Sequence, residues 1–361
     1  MIWLSRGLAI VCLDGINWEY INNSNTPFLD SLVSNGTGTT CRTMVPTVTN
    51  VNNASIITCS YPDKHGITSN WYHDRETGQE VFMDSSDFLA CRTFLEKEAR
   101  KGKMVLLLTV KDKLRRLLQT ERVHSYSVEK PDSKMKDRIG PVPSIYELDA
   151  SPWILKAAQE EISEKSWDIV YISTTDYIPH KNSPDQDKSI EYMVRIDDEL
   201  ESIYNQGYKM GIVADHGMNR KTVNFDPVNH LSEYAISSRM VASIKDEHEI
   251  HHMNLGGSAY LYTDETEKAK EILIDCDGVE AVYTREEAAK EFRLMASRIG
   301  DLFLLADLNY TFGKNSSTDY RDIDIRSHGS LHEREVPFIT SRKLELKEEL
   351  YNKDLIPYLT E

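Results

Sequence analysis

Three short apolar runs, residues 7–13, 168–173 and 209–214, each lead within a few positions to an aspartate: Asp14, Asp176 and Asp215. Runs this short, rich in Val, Ile and Leu, are what strands buried on both faces look like. Helix-like stretches lie between them. Thr26 and Pro27 read as the N-cap and first position of a helix that stops near Asn35 and Gly36. Ser151-Pro152 opens a helix over 152–164, and another covers roughly 188–204. Strand alternating with helix predicts a mainly parallel sheet with helices on both faces. Ligands of such sheets gather outside the C-terminal ends of the strands, which is where the three aspartates fall.

The remaining segments fill in around this frame. Residues 37–46 read as a strand, and 50–57 opens a helix with Thr49 at its N-terminal end. Residues 72–145 are more polar and irregular, with a helix over 94–101 and a strand over 104–110. From 253 to 307 the pattern is strand, helix (264–275), strand (279–283), helix (285–293) and the apolar run 302–305. The expected architecture is therefore an α/β core over 1–250 and 308–361 with a smaller α+β cap over 251–307. Residues 313–326 read as a polar loop leading to Ser327-His328-Gly329.

Composition narrows the function. A chain of 361 residues can bury a sizeable core. A formal net charge of −16 argues against a nucleic-acid or anionic-membrane partner, since neutralising phosphates takes clustered Lys and Arg. A small anionic substrate stays open, because metal ions reverse the local field. The five cysteines are scattered, with no C-x-x-C pair, which suits a reducing compartment. The apolar N-terminal stretch is interrupted by Arg6, is too short to span a membrane and lacks a signal-peptide cleavage pattern, so a cytoplasmic protein is expected. Oligomeric state is left open, a homodimer included.

Asp and His ligands suit zinc and similar metals, and two ions a few Å apart can clamp attacking and leaving atoms. Asp176 and His180 are four apart, so one helical turn points both at one ion. Asp215 and His216 are adjacent on a sharp turn after a strand, and His328 is a further member. Each pair alone is weak evidence; together, at strand ends, they are strong. Thr49, in the stretch VPTVTNVNNASIITC, is the candidate nucleophile: metal coordination lowers a hydroxyl pKa and a helix N-terminus favours the developing charge. The plain alternative is a helix N-cap. Asn52, one turn on, can donate to a phosphoryl oxygen, although Asn52 and Asn53 also fit as turn-formers. His65 reads as structural, His332 as surface, and His251 and His252 as surface or hinge residues.

The segments VCLDG, PTVTNVNNASIIT, YPDKHGI, TTDYIPHK, VADHGMN and SHG, in this order over about 7–340, resemble the alkaline phosphatase superfamily and its phosphodiesterase/nucleotide pyrophosphatase branch. Within it, TNVNN, the SN at 69–70 and TVKDKLRRLL at 109–118 are most similar to the phosphonoacetate hydrolases. The resemblance implies an alkaline-phosphatase-like core and two zinc ions, with manganese or iron also suited. One zinc would be held by Asp176, His180 and His328, the other by Asp14, Thr49, Asp215 and His216. Thr49 would attack phosphorus and form a phosphothreonine, later hydrolysed. Asn70, Lys111 and Lys113 match substrate-binding positions.

The implied reaction cleaves the carbon–phosphorus bond of phosphonoacetate to acetate and phosphate. That bond breaks heterolytically only if the departing carbanion is stabilised, and two lysines beside the carboxylate would hold the charge as it develops. By spacing alone Lys111 and Lys113 also fit an exposed basic helix start beside Arg115 and Arg116. The alternative is a phosphodiesterase or nucleotide pyrophosphatase with the same metals and nucleophile, which needs an aromatic slot such as Trp71 or Tyr72 for a base. A non-catalytic binder is disfavoured by the full ligand set. One departure stands out: Cys59 occupies a position where relatives commonly carry Gly.

Overall fold

The computed structural model describes residues 6–246, 250 and 252–360. Seven strands form the central sheet: β1 (Gly7–Cys12), β2 (Thr37–Arg42), β3 (Val105–Thr109), β4 (His124–Ser127), β5 (Ile169–Ser173), β6 (Tyr208–Val213) and β7 (Glu335–Thr340). Their order across the sheet is β2-β7-β6-β1-β5-β3-β4. Only β7 runs against the rest. The expected mainly parallel α/β sheet is present, with the apolar central strands buried as a doubly covered sheet requires.

Register places the site. Cys12 of β1 pairs with Ser173 of β5 on one side and Val213 of β6 on the other. The three strands therefore end level, and Asp14, Asp176 and Asp215 emerge side by side along one rim.

A second sheet is antiparallel, built from Arg239–Ala242, Ser258–Tyr262, Leu302–Ala306 and Val279–Thr284, with helices Thr266–Leu273 and Arg285–Glu291 attached. Its edge strand starts at Arg239, ahead of residue 251. Its side chains Tyr260 and Phe303 share an apolar cluster with Val45.

Two expectations need correction. The strand expected over 37–46 stops at Arg42. The stretch 313–326 is not a loop throughout: Tyr320–Ser327 is a strand, antiparallel to Asn219–Phe225 in a three-stranded sheet. Ile323, Ile325 and Ser327 lie on its more buried side, an alternation that the surrounding Asp and Arg residues disguise. All five cysteines are free thiols. Among the described residues no helix is long and apolar enough to cross a membrane. His251 lies outside the described residues.

Candidate active site

The helix Thr49–Thr58 is buried at every position, and Thr49 is its first residue. Val48 is the N-cap and cannot cap with its side chain, so the plain N-cap reading of Thr49 does not hold. The N-terminus of this helix, uncapped by a side chain, faces the rim, and such ends favour anions. Thr49 Oγ1 stands 3.3 Å from His216 Nε2.

Asn52 is corrected. It is fully buried, and its amide is spent on the backbone before the helix: Oδ1 accepts from Met44 N at 2.7 Å, and Nδ2 donates to Met44 O at 3.2 Å and Val48 O at 3.3 Å. Asn352 Nδ2 also donates to Oδ1, at 3.0 Å. It braces the segment that leads into Thr49 and has no donor left for a substrate. Its neighbour Asn53 does face the site, donating to Asp215 Oδ2 at 3.2 Å while accepting the Tyr171 hydroxyl at 2.7 Å.

Asp176 is the N-cap residue of Tyr177–Lys181, which puts His180 one turn along on the same side. Three imidazoles are keyed alike. His180 Nδ1 donates to Arg326 O at 2.6 Å, His328 Nδ1 to Thr47 O at 2.7 Å and His216 Nδ1 to Gly217 O at 2.9 Å. A carbonyl only accepts, so each Nδ1 carries the proton and each Nε2 lone pair is turned inward. There the lone pairs meet carboxylates: His180 Nε2 lies 3.1 Å from Asp176 Oδ2 and His216 Nε2 3.3 Å from Asp14 Oδ1. Asp14 Oδ1 is buried without a hydrogen-bonded partner.

Lone pair facing carboxylate is unfavourable unless a cation stands between them, and histidines held by carbonyls in this way are the usual setting of metal ligands. The donors Asp176, His180 and His328 lie within 4.8 Å of one another, as do Asp14, Asp176 and His216. The residues present therefore fit two ions. Asp215 stands at one remove, its Oδ2 3.7 Å from His216 Nε2, and Oδ1 accepts from the backbone N–H groups of Gly15 and His216. Electrostatics tells the same story. Burial and then Asp14 push the Asp215 carboxyl up. Burial opposes a charge on His216, but Asp215 and Asp14 outweigh it and raise its pKa. Burial, and then His216 and His180, hold His328 far below the usual imidazole range.

Lys111 and Lys113 are not an exposed basic helix start. Lys111 is 6% exposed and immediately precedes the helix Asp112–Leu118. Its Nζ donates to Asp176 Oδ1 at 2.5 Å and to Asp14 Oδ2 at 3.4 Å. Burial opposes that charge, yet Asp14, Asp176 and Asp215 raise its pKa. Lys113 pairs with Asp246. Both lysines line a cavity of about 300 Å³ together with Phe82, Arg116, Tyr146 and Asp246. Asn70 donates through Nδ2 to Lys245 O at 3.3 Å, and its Oδ1 is buried without a hydrogen-bonded partner.

His252 is corrected too. It is 3% exposed, and its ring lies 6.0 Å from that of His180. Two further residues escaped the sequence reading. Thr47 anchors the His328 segment through its carbonyl and through its hydroxyl, which accepts Gly329 N at 2.9 Å. Arg326 ties Pro179 O, at 2.9 Å, to Met218 O, at 3.0 Å, across the two histidine-bearing loops. Only the alternating pattern around Ile323 and Ile325 could have placed Arg326 in a strand.

The type I phosphodiesterase / nucleotide pyrophosphatase family matches residues 8–331. Phosphonoacetate hydrolase from Sinorhizobium meliloti 1021, crystallised with phosphonoformate, is 32% identical with a TM-score of 0.91, over 99% of this chain and 95% of that one. Its complex with phosphonoacetate superposes equally well, at 31% identity. Murine ectonucleotide pyrophosphatase / phosphodiesterase 5, in complex with AMP, shares the fold at 16% identity and a TM-score of 0.72, over 98% of this chain and 93% of that one.

Proposed function

This chain belongs to the type I phosphodiesterase / nucleotide pyrophosphatase family of the alkaline phosphatase superfamily, and on that premise we propose that it hydrolyses the carbon–phosphorus bond of phosphonoacetate to acetate and phosphate. One observation carries the choice of substrate: Lys111, buried, and Lys113, half-buried, line a single cavity, and the Lys111 ammonium reaches from it to Asp14 and Asp176. A diester needs no second cationic pocket there; a carboxylate next to the phosphonate does. The similarity to phosphonoacetate hydrolase, crystallised with two phosphonates, supports the same reading.

In this proposal Asp176, His180 and His328 hold one zinc, and Asp14, Thr49, Asp215 and His216 the other; manganese or iron also suits these donors. When bound, the ions supply Lewis acidity at phosphorus and lower the hydroxyl pKa of Thr49. Thr49 Oγ1 gives up its proton to solvent and bonds to phosphorus as the C–P bond breaks. The electron pair passes to the methylene carbon and is delocalised into the carboxylate, which Lys111 and Lys113 hold. Protonation of that carbon gives acetate, and water cleaves the phosphothreonine. Asn70 is a further substrate-binding residue, and the N-terminus of Thr49–Thr58 favours the charge of the phosphoryl oxygens.

The division into a core, 1–250 and 308–361, and a cap, 251–307, belongs to the same proposal, as does a cytoplasmic location, which the five free thiols support. Of the two aromatics that the nucleotide reading offers for a base, Trp71 is already engaged: it stacks on Phe82 at 4.8 Å, and the Lys245 ammonium lies 4.7 Å from its ring centroid. The test is phosphate release by the zinc-loaded protein from phosphonoacetate, beside a nitrophenyl phosphodiester and a nucleotide diester. Preference for phosphonoacetate supports the proposal; preference for either diester overturns it.

A further inference from the structure

One short loop links Asn70 to the cavity that holds the two lysines. It leaves the strand Arg239–Ala242, and the carbonyls of Ser243 and Lys245 accept from the backbone N–H and side-chain amide of Asn70, each at 3.3 Å. The next side chain, Asp246, turns into the cavity and pairs with Lys113. Asp246 is 5% exposed, and its own N–H is fixed by Asn254 Oδ1 at 2.8 Å. The other acids lining the cavity have other tasks. Glu129 accepts the N–H of Asp112 at 2.6 Å, and Asp112 is engaged by Arg115, Arg116 and Lys130.

We propose that Asp246 is a specificity-determining residue: it occupies Lys113 in the free enzyme as an internal stand-in for the substrate carboxylate, and only a ligand bringing its own carboxylate displaces it. The inference rests on the proposed phosphonoacetate reading of the same site. A buried ammonium needs a countercharge, and stripping one away without replacement is strongly unfavourable. A phosphonate bearing a carboxylate exchanges one carboxylate for another at Lys113, so the ammonium stays paired throughout. A ligand with only a phosphoryl group leaves the Lys113–Asp246 pair closed and gains nothing from Lys113. Displaced, Asp246 loses its own partner, so it weakens binding of the cognate ligand while making the ligand's carboxylate the key to the second lysine, the repulsive half of specificity.

The test uses the zinc-loaded full chain and compares wild type, Asp246→Asn, Lys113→Ala and the double variant, below the titration of Lys113 near pH 7. The readouts are KM for phosphonoacetate and the inhibition constant of inorganic phosphate, which fills the phosphoryl position alone. Removing the competing charge is expected to lower KM for phosphonoacetate about tenfold, the scale of one partly screened charge contact. Phosphate inhibition should stay within about twofold, which also reports that the variant folds. The gain should vanish in the Lys113→Ala background, where there is no ammonium to compete for. An unchanged or raised KM, an equal shift in both constants, or the same gain without Lys113 each overturns the inference. If wild type itself does not turn over phosphonoacetate, the functional reading fails and takes this inference with it. If wild type does and Asp246→Asn shows no selective gain, only the inference fails.

Discussion

His216 and His328 lie face to face, their ring centroids 3.5 Å apart and their planes 6° from parallel. Each is pinned at Nδ1 by a carbonyl, Gly217 O and Thr47 O respectively. Their Nε2 edges point into the acids, 3.3 Å from Asp14 and 3.8 Å from Asp176. Two imidazolium ions could not stack so closely, and burial holds His328 neutral. In the proposed reading metal ions stand between these edges and the acids, and their binding should carry folding free energy. Chelation is expected to lower the thermal midpoint and added zinc to restore it, with about 2.7 kcal/mol gained at a hundredfold excess over Kd. Scanning calorimetry checks this, and identical midpoints with and without chelator contradict the metal reading.

In the proposed reaction Lys111 and Lys113 hold the substrate carboxylate. Replacing either with Ala removes one charge-assisted contact to the carboxylate, worth about 1.5–3 kcal/mol, so kcat/KM for phosphonoacetate should fall roughly tenfold to a hundredfold. Zinc content should not fall, because Lys111 competes with cations for Asp14 and Asp176 rather than assisting them. Steady-state kinetics with metal analysis on the same samples decides it; unchanged turnover in both variants removes the carboxylate-binding role.

The three aspartates were legible because each follows an apolar strand, and parallel strands ending level bring their next residues together. Asp176 and His180 were legible through helical spacing alone. Asn52 and Asn53 were not separable: adjacent helical positions point about 100° apart, and which one faces the rim depends on how the helix is rotated towards Asp215 and Tyr171. His252 meets His180 through a loop far away in sequence, and the support from Arg326 depends on a strand whose partner lies about a hundred residues upstream. Local pattern carries no information about such pairings.

That rotation gives a contrast between neighbours. Asn53→Ala removes the donor that holds Asp215, so the second metal should bind about tenfold more weakly, in line with other residues that orient ligands. Asn52→Ala leaves the Met44 N–H and carbonyl buried and unpaired, at about 1–3 kcal/mol, and should lower stability with metal affinity preserved per folded molecule. Metal titration alongside urea unfolding separates the two; equal metal affinity in both variants contradicts the assignment.

His65 is fully buried and neutral by construction. Its Nδ1 accepts Ile67 N–H at 3.1 Å, so Nε2 bears the proton and donates to Ser55 Oγ at 2.8 Å, and Ser55 donates onward to Val51 O. Burial, reinforced by Arg298, pulls its pKa down to about 3. The folded pKa is below the unfolded one, so the unfolded chain binds the extra proton. Its contribution is complete above about pH 6.5 and drains away as pH falls from there towards 3, by at most about 1.4 kcal/mol per unit. His65→Gln should be less stable at neutral pH yet lose stability more shallowly on acidification. Parallel slopes in urea midpoint against pH argue that His65 is not the group responsible.

Cys59 closes the helix Thr49–Thr58 in the left-handed region, with φ 55° and ψ 33°, where a side chain is strained and glycine is the usual residue. Its N–H donates to Ile56 O at 3.3 Å, and its thiol lies half-buried against the core. Relief of backbone strain and loss of thiol packing oppose each other in Cys59→Gly, so stability should rise by no more than about 1 kcal/mol. Cys59→Val keeps the packing but adds a β-branched side chain at positive φ, and should cost more than about 1 kcal/mol. Neither substitution touches a ligand, so phosphonoacetate kinetics per folded molecule should match wild type in both. A valine variant as stable as the glycine one means that the left-handed backbone at Cys59 carries no strain.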